Sequence, residues 1–157
     1  FPYKQRLANG WSSPNNFILL RLADVILLLA EAENELFKEV LLMTLARAAD
    51  ADINIQAAEV ERIREILKQH TGEEFSNADI RVAARAELYA EATLVKYLRG
   101  VEKKLTESHC TEIVKALADV FRSDATISGL EVDFFNNVVD ALNVTPAQIA
   151  GLVAGDV

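Results

Sequence analysis

Two stretches of the chain, ARAADADINIQAAEVERI (residues 46–63) and ALADVFRSDATISGLEVDFF (residues 116–135), share the pattern D-x-x-I-x-x-x-E. The two copies of the pattern lie 72 residues apart. Apolar residues recur with helical spacing on both sides of each copy, so the pattern falls where one helix ends and the next begins. The repeat therefore predicts two related helix-loop-helix halves packed about a pseudo-two-fold axis.

Small polar residues set between apolar ones predict where the later helices start. Ser76, Thr106, Ser128 and Thr145 each follow an apolar residue and precede another four positions on, which is the pattern of an N-cap with a hydrophobic staple. With only 6 Gly and 3 Pro in 157 residues, we expect an all-α bundle of about six helices. Their predicted ranges are 16–49, with a break around 35–38 left open, 56–70, 77–101, 106–122, 129–142 and 146–153.

The net charge, the single cysteine and the hydropathy of the chain indicate which partners and which compartment to expect. The 24 acids against 16 bases give a net charge of −8, which argues against nucleic acid as a partner. Cys110 is the single cysteine, so no internal disulfide can form, and we expect a reducing, cytoplasmic compartment. The most apolar stretch, Phe17 to Ala30, contains Arg21 and Asp24 and is too short to span a membrane; we predict a buried helix there.

We name the segment from Asp52 to Glu59 the first corner and the segment from Asp124 to Glu131 the second corner. Two interpretations of their acids remain open. In the first, the acids serve helix starts, because Ser128 and Glu131 form the spacing of a capping box. In the second, the Asp and Glu of each corner hold a hard divalent cation such as Ca²⁺ through oxygen ligands. Possible neighbouring ligands are Asp50, Glu61 and Asp133.

The first corner also carries part of the spacing of an EF-hand loop. Acidic or amide residues occupy its positions 1, 3, 5, 7 and 12, counted from Asp50 to Glu61. Position 6, where the loop needs glycine for a sharp turn, is Ile55. This departure argues against an EF-hand.

With both corners in view, residues 37–153 resemble the TerB-like tellurite-resistance family of small all-α domains. The resemblance rests on the two stretches quoted first. It implies that Asp52, Glu59, Asp124 and Glu131 form a metal-binding cluster. It also implies a non-enzymatic role in the response to tellurite or metal stress, with protein partners as a further expectation.

Residues 1–36 resemble a different family. The stretch WSSPNNFILLRLADVILLLAEAENEL (11–36) is similar to a helix of the SusD/RagB family of glycan-binding lipoproteins. We therefore expect a chimera of a SusD/RagB-like segment, residues 1–36, and a TerB-like domain, residues 37–157. The chain begins at Phe1 without a signal-peptide pattern, so we expect a cut site or an engineered junction there. The alternative function implied is a glycan-binding fragment on a helical carrier.

Overall fold

The helices are described from a computed structural model, which defines residues 14–50, 57–85, 93–122 and 127–154. These residues form seven α-helices and one 3-10 turn, with no strand among them, so the all-α class is confirmed. The helices are α1 (Pro14–Asp50), α2 (Ala57–Thr71), α3 (Asn77–Arg85), α4 (Leu94–Val101), α5 (Glu107–Arg122), α6 (Gly129–Ala141) and α7 (Pro146–Ala154), and the 3-10 turn is Glu102–Lys104.

The four predicted helix starts are confirmed by their hydrogen bonds. In each, the backbone N–H three residues into the helix donates to the side-chain oxygen of the capping residue, which satisfies one of the helix's orphan donors. These donors and acceptors are Asp79 to Ser76 (3.1 Å), His109 to Thr106 (3.1 Å), Glu131 to Ser128 (3.3 Å) and Gln148 to Thr145 (3.4 Å).

The helix predicted over 77–101 is interrupted, and that prediction is wrong at Thr93. This residue has extended backbone, with φ −63° and ψ 157°, and its hydroxyl accepts from the Lys96 N–H over 3.4 Å, so it is the N-cap of a new helix. Residues 86–92 lie outside the described part of the chain. The interruption explains why seven helices are described where about six were expected.

The first described helix, α1, runs without a break through the region 35–38. By its contacts the chain divides into two units, Phe1–Glu35 and Leu36–Val157. The predicted domain boundary after residue 36 stays a prediction, because a division of contacts does not show that either part folds alone.

The apolar stretch at the start of α1 differs from its prediction. Every described side chain from Ile18 to Glu35 is exposed, so the prediction of a buried helix is wrong for this stretch. Hydropathy expresses a tendency to be buried but does not say what would cover the residues. No helix in the described residues combines the length and apolarity that a membrane crossing requires.

The core of the unit Leu36–Val157 is centred on α5. This helix packs against α2, α6 and α7, while α2 also contacts α3 and α4 contacts α6. Fully buried aliphatic side chains come from α1 to α5 and from the residue that follows α6. The largest are Leu41, Leu45, Ile63, Ile66, Leu67, Ile80, Leu98, Ile113, Leu117 and Leu142.

The sequence repeat corresponds to a repeat of helices. Each corner lies between two described helices, α1 and α2 in the first half and α5 and α6 in the second. Leu45 and its counterpart Leu117 are both fully buried. Val60 is 1% exposed, whereas its counterpart Val132 is 47% exposed, so the two halves bury different amounts of the second helix.

Candidate functional site

The second corner ends in a complete capping box. Ser128 has extended backbone, and its N–H donates to the Glu131 carboxylate over 2.5 Å, while the Glu131 N–H donates to the Ser128 hydroxyl over 3.3 Å. Two donors at the start of α6 are thereby satisfied. The structural interpretation of Glu131 is confirmed.

The capping box does not use the whole capacity of the Glu131 carboxylate. A carboxylate has two oxygens and about four acceptor positions, and the cap uses one of these oxygens. An ion could therefore be coordinated while the cap remains in place.

The first corner places its glutamate at the equivalent position. Glu59 is the third residue of α2, as Glu131 is of α6, and each is the acid of its helix's first turn. Glu59 is half-buried. Both glutamates therefore lie next to a helix N-terminus, where the partial positive charge of the backbone favours an anion.

Three of the other predicted ligands have side chains outside the described part of the chain. Asp52 and Asp124 lie outside the described residues, so their predicted roles stay predictions. Asp50 is the last residue of α1, and its side chain is also outside the description.

The remaining two neighbours, Glu61 and Asp133, lie on helix surfaces. The Glu61 carboxylate is 3.0 Å from the Arg64 guanidinium, one helical turn away, and Asp133 is exposed. Within the four described ranges, no group of three or more His, Cys, Asp or Glu side chains is arranged to hold a metal ion.

The chemistry of the predicted donor set suits a hard cation. All four acids of the two corners offer carboxylate oxygens, which are the ligands that Ca²⁺ prefers. The two glutamates that the structure describes come from helix starts that correspond in the repeat. By its ligand type, the predicted donor set therefore suits an oxygen-coordinated divalent ion better than a soft metal, which would require sulfur ligands.

A polar cluster that sequence reasoning missed joins α2 to α5. The His70 side chain is only 6% exposed; its Nδ1 lies 3.1 Å from Glu112 Oε1 and its Nε2 lies 3.8 Å from Asp119 Oδ2. Both acids are on α5, more than 40 residues from the histidine. No local pattern signals such a pair, because the contact depends on how the two helices pack.

His109 and Cys110 are adjacent on α5 and have different surroundings. The His109 ring stacks on Phe37 with centroids 4.6 Å apart. Burial, together with the acids Glu102 and Glu107, raises the pKa of the Cys110 thiol to about 11. The thiol is therefore protonated near neutral pH and a poor nucleophile.

A family model described as "Tellurite resistance protein TerB" matches residues 38–153, well over half of the chain. No curated protein and no solved structure matches the chain. Residues 1–37 lie outside the family match, so the resemblance of residues 1–36 to the SusD/RagB family stays a prediction.

Proposed function

The chain belongs to the TerB tellurite-resistance family, and from this we propose that it is a non-enzymatic domain whose two corners bind a divalent cation during metal or tellurite stress. The observation that carries the proposal is the equivalent placement of Glu59 and Glu131 in the first turn after each corner. We assign the ion to these two residues together with Asp52 and Asp124.

Charge supports the choice of a cation. The net charge of −8 attracts cations to the whole surface. Part of the cost of placing acids at the corners is already offset by the helix N-termini. Ca²⁺ is the ion proposed, because carboxylates are its usual ligands and its flexible coordination tolerates irregular loops.

We also propose that the domain has no catalytic activity. Its support concerns thiol chemistry: the raised pKa of the single cysteine, Cys110, leaves this thiol protonated and unsuited to nucleophilic attack. Turnover of a substrate in a reaction that Cys110→Ser abolishes would contradict this part of the proposal.

We also propose a cytoplasmic location, supported by a single cysteine that can form no internal disulfide. Fractionation of cells that produce the protein tests the location. Recovery from an oxidising compartment would contradict it.

Calorimetric titration of the full chain with CaCl₂ tests the cation site. We expect saturable heat from the unsubstituted protein and a weakened or absent signal from Asp52→Asn and from Asp124→Asn. The matched control is Glu65→Gln, which removes one negative charge from an exposed carboxylate that contacts Arg62 instead of a corner. Equal titration curves for all four proteins would contradict the assignment.

If calcium gives no saturable heat, the acids serve the helix starts and the family role rests on protein partners.

The glycan-binding alternative for residues 1–36 remains a separate prediction. Titration of the full chain with oligosaccharides tests it, and absence of binding would contradict it.

A further inference from the structure

The exposed apolar surface of α1 has no part in the proposed cation site. Nine large side chains between Ile18 and Leu29 are 51–63% exposed. At on the order of 100 Å² of apolar surface per side chain, they present roughly 900 Å². Seven of the nine share one side of the helix and present roughly 700 Å², whereas the largest contiguous apolar patch of a typical monomer is about 300–600 Å². The nine are Ile18, Leu19, Leu20, Leu22, Val25, Ile26, Leu27, Leu28 and Leu29.

The spacing of these residues is that of a coiled-coil seam. Ile18, Leu22, Val25 and Leu29 are separated by four, three and four positions, which is the d-a-d-a order of a heptad. Ala32 takes the next d position. An apolar repeat of 3.5 residues favours a partner helix that winds around this one.

The charges that flank the seam select the orientation of the partner helix. Arg21, Leu28 and Glu35 occupy the three successive g positions. In an antiparallel pair, g positions face g positions, so Leu28 meets its own copy and Arg21 meets Glu35 of the second copy, twice by symmetry. In a parallel pair, g faces e, which sets Arg21 against the apolar Ile26. Opposite charges therefore favour the antiparallel arrangement.

We propose that residues 18–35 of α1 form an antiparallel coiled-coil interface with a second copy of this chain. Seven of the nine exposed side chains lie at a, d, e or g positions, and only Leu20 and Leu27, at f, face away from the seam. Burial of about 700 Å² on each copy gives a total near 1,400 Å², within the roughly 1,200–2,000 Å² of stable interfaces. The second copy covers the stretch that a single chain exposes.

Sedimentation equilibrium of the full chain at micromolar concentration tests the assembly. We expect a dimer for the unsubstituted protein and a monomer for the double variant Leu22→Glu/Leu29→Glu, in which two of the four exposed seam positions become charged. The control Val82→Glu alters an exposed valine on α3 and should remain dimeric. Circular dichroism checks that all three retain their helices. A monomeric unsubstituted chain, or a double variant that still dimerises, overturns the proposal.

A second experiment tests the orientation. In a Cys110→Ser background, Ile26→Cys places a thiol at the e position that meets its own copy in the antiparallel pair, whereas Leu19→Cys faces Glu33 of the second copy. Mild oxidation should link Ile26→Cys into a covalent dimer and leave Leu19→Cys unlinked. The reverse result overturns the antiparallel arrangement.

Charge reversal provides the matching test of Arg21. The variant Arg21→Glu should raise the dimer dissociation constant about tenfold, because two ion pairs become two repulsions. The exchange Arg21→Glu/Glu35→Arg should return the dissociation constant to that of the unsubstituted protein. Failure of the exchange to restore binding contradicts the pairing.

Sedimentation with phosphatidylcholine vesicles tests a lipid as the occupant of the apolar surface. An unsubstituted chain that is monomeric and sediments with the vesicles would assign this surface to lipid and overturn the proposal.

Discussion

The Glu131 carboxylate accepts a hydrogen bond from the Ser128 backbone N–H over 2.5 Å, and the Ser128 hydroxyl accepts one from the Glu131 N–H over 3.3 Å. This reciprocal pair fixes the start of α6 through the chain's own groups. Experiments on Glu131 must therefore separate its capping role from its charge.

Replacement of Glu131 by alanine should lower the free energy of unfolding by about 1 kcal/mol, because the capping box is lost. Glu131→Gln should lose less, since glutamine can accept the same hydrogen bond from the Ser128 N–H. Urea denaturation measures both. The control Asp133→Ala alters an exposed acid of the same helix and should change stability by less than about 0.5 kcal/mol. Equal losses from all three substitutions would refute the capping role.

Two positions with positive φ should differ in how substitution changes stability. Gly72 follows α2 at φ 73° and donates to the Lys68 carbonyl over 2.9 Å. A Cβ there would meet no atom within 4 Å, so Gly72→Ala should cost about 1 kcal/mol through backbone strain alone. Asn143, at φ 54°, should tolerate Asn143→Gly without loss. Thermal melts compare the two, and a neutral Gly72→Ala would contradict the expectation.

The His70–Glu112 contact should contribute measurable coupling between α2 and α5. A double-mutant cycle with His70→Ala and Glu112→Ala should give an interaction free energy of about 1 kcal/mol, because the contact is 3.1 Å long and the ring is buried. The cycle removes the cost of the cavity that His70→Ala alone creates. The control pair His70→Ala and Glu65→Ala should show no coupling, and coupling of equal size in both cycles would contradict this contact.

Cys110 should make stability fall at alkaline pH. Burial raises the pKa of the folded-state thiol from 9.0 to about 11, so the unfolded chain releases its proton first. The free energy of unfolding should therefore decrease as pH rises from about 9 to about 11, and Cys110→Ala should flatten this part of the profile. Denaturant titrations across that interval provide the measurement. Profiles of the same slope in both proteins would show that the thiol does not contribute.

Local signals in the sequence were sufficient to predict much of the fold. The caps Ser76, Thr106, Ser128 and Thr145 were predictable because each helix start depends on residues within one turn. Thr93 also caps a helix, but the predicted helix ran through it, since helical periodicity continues on both sides.

Contacts between distant residues could not be predicted in this way. The Lys38–Glu73 ion pair and the His70–Glu112 contact depend on helix packing. The exposure of Ile18 to Leu29 shows the same limit, because hydropathy does not specify what covers an apolar helix. Of the candidate site, the repeat predicted the equivalent positions of Glu59 and Glu131, while the roles of Asp52 and Asp124 stay predictions.

The melting temperature of Glu131→Gln with and without millimolar CaCl₂ tests the central claim most directly, because this variant retains a capping side chain and loses the charge. An ion bound only by the folded state stabilises it by mass action. We predict that calcium raises the melting temperature of the unsubstituted protein and of Glu65→Gln, and has little effect on Glu131→Gln. A calcium response of equal size in all three proteins, or in none, would contradict a cation site at the corners.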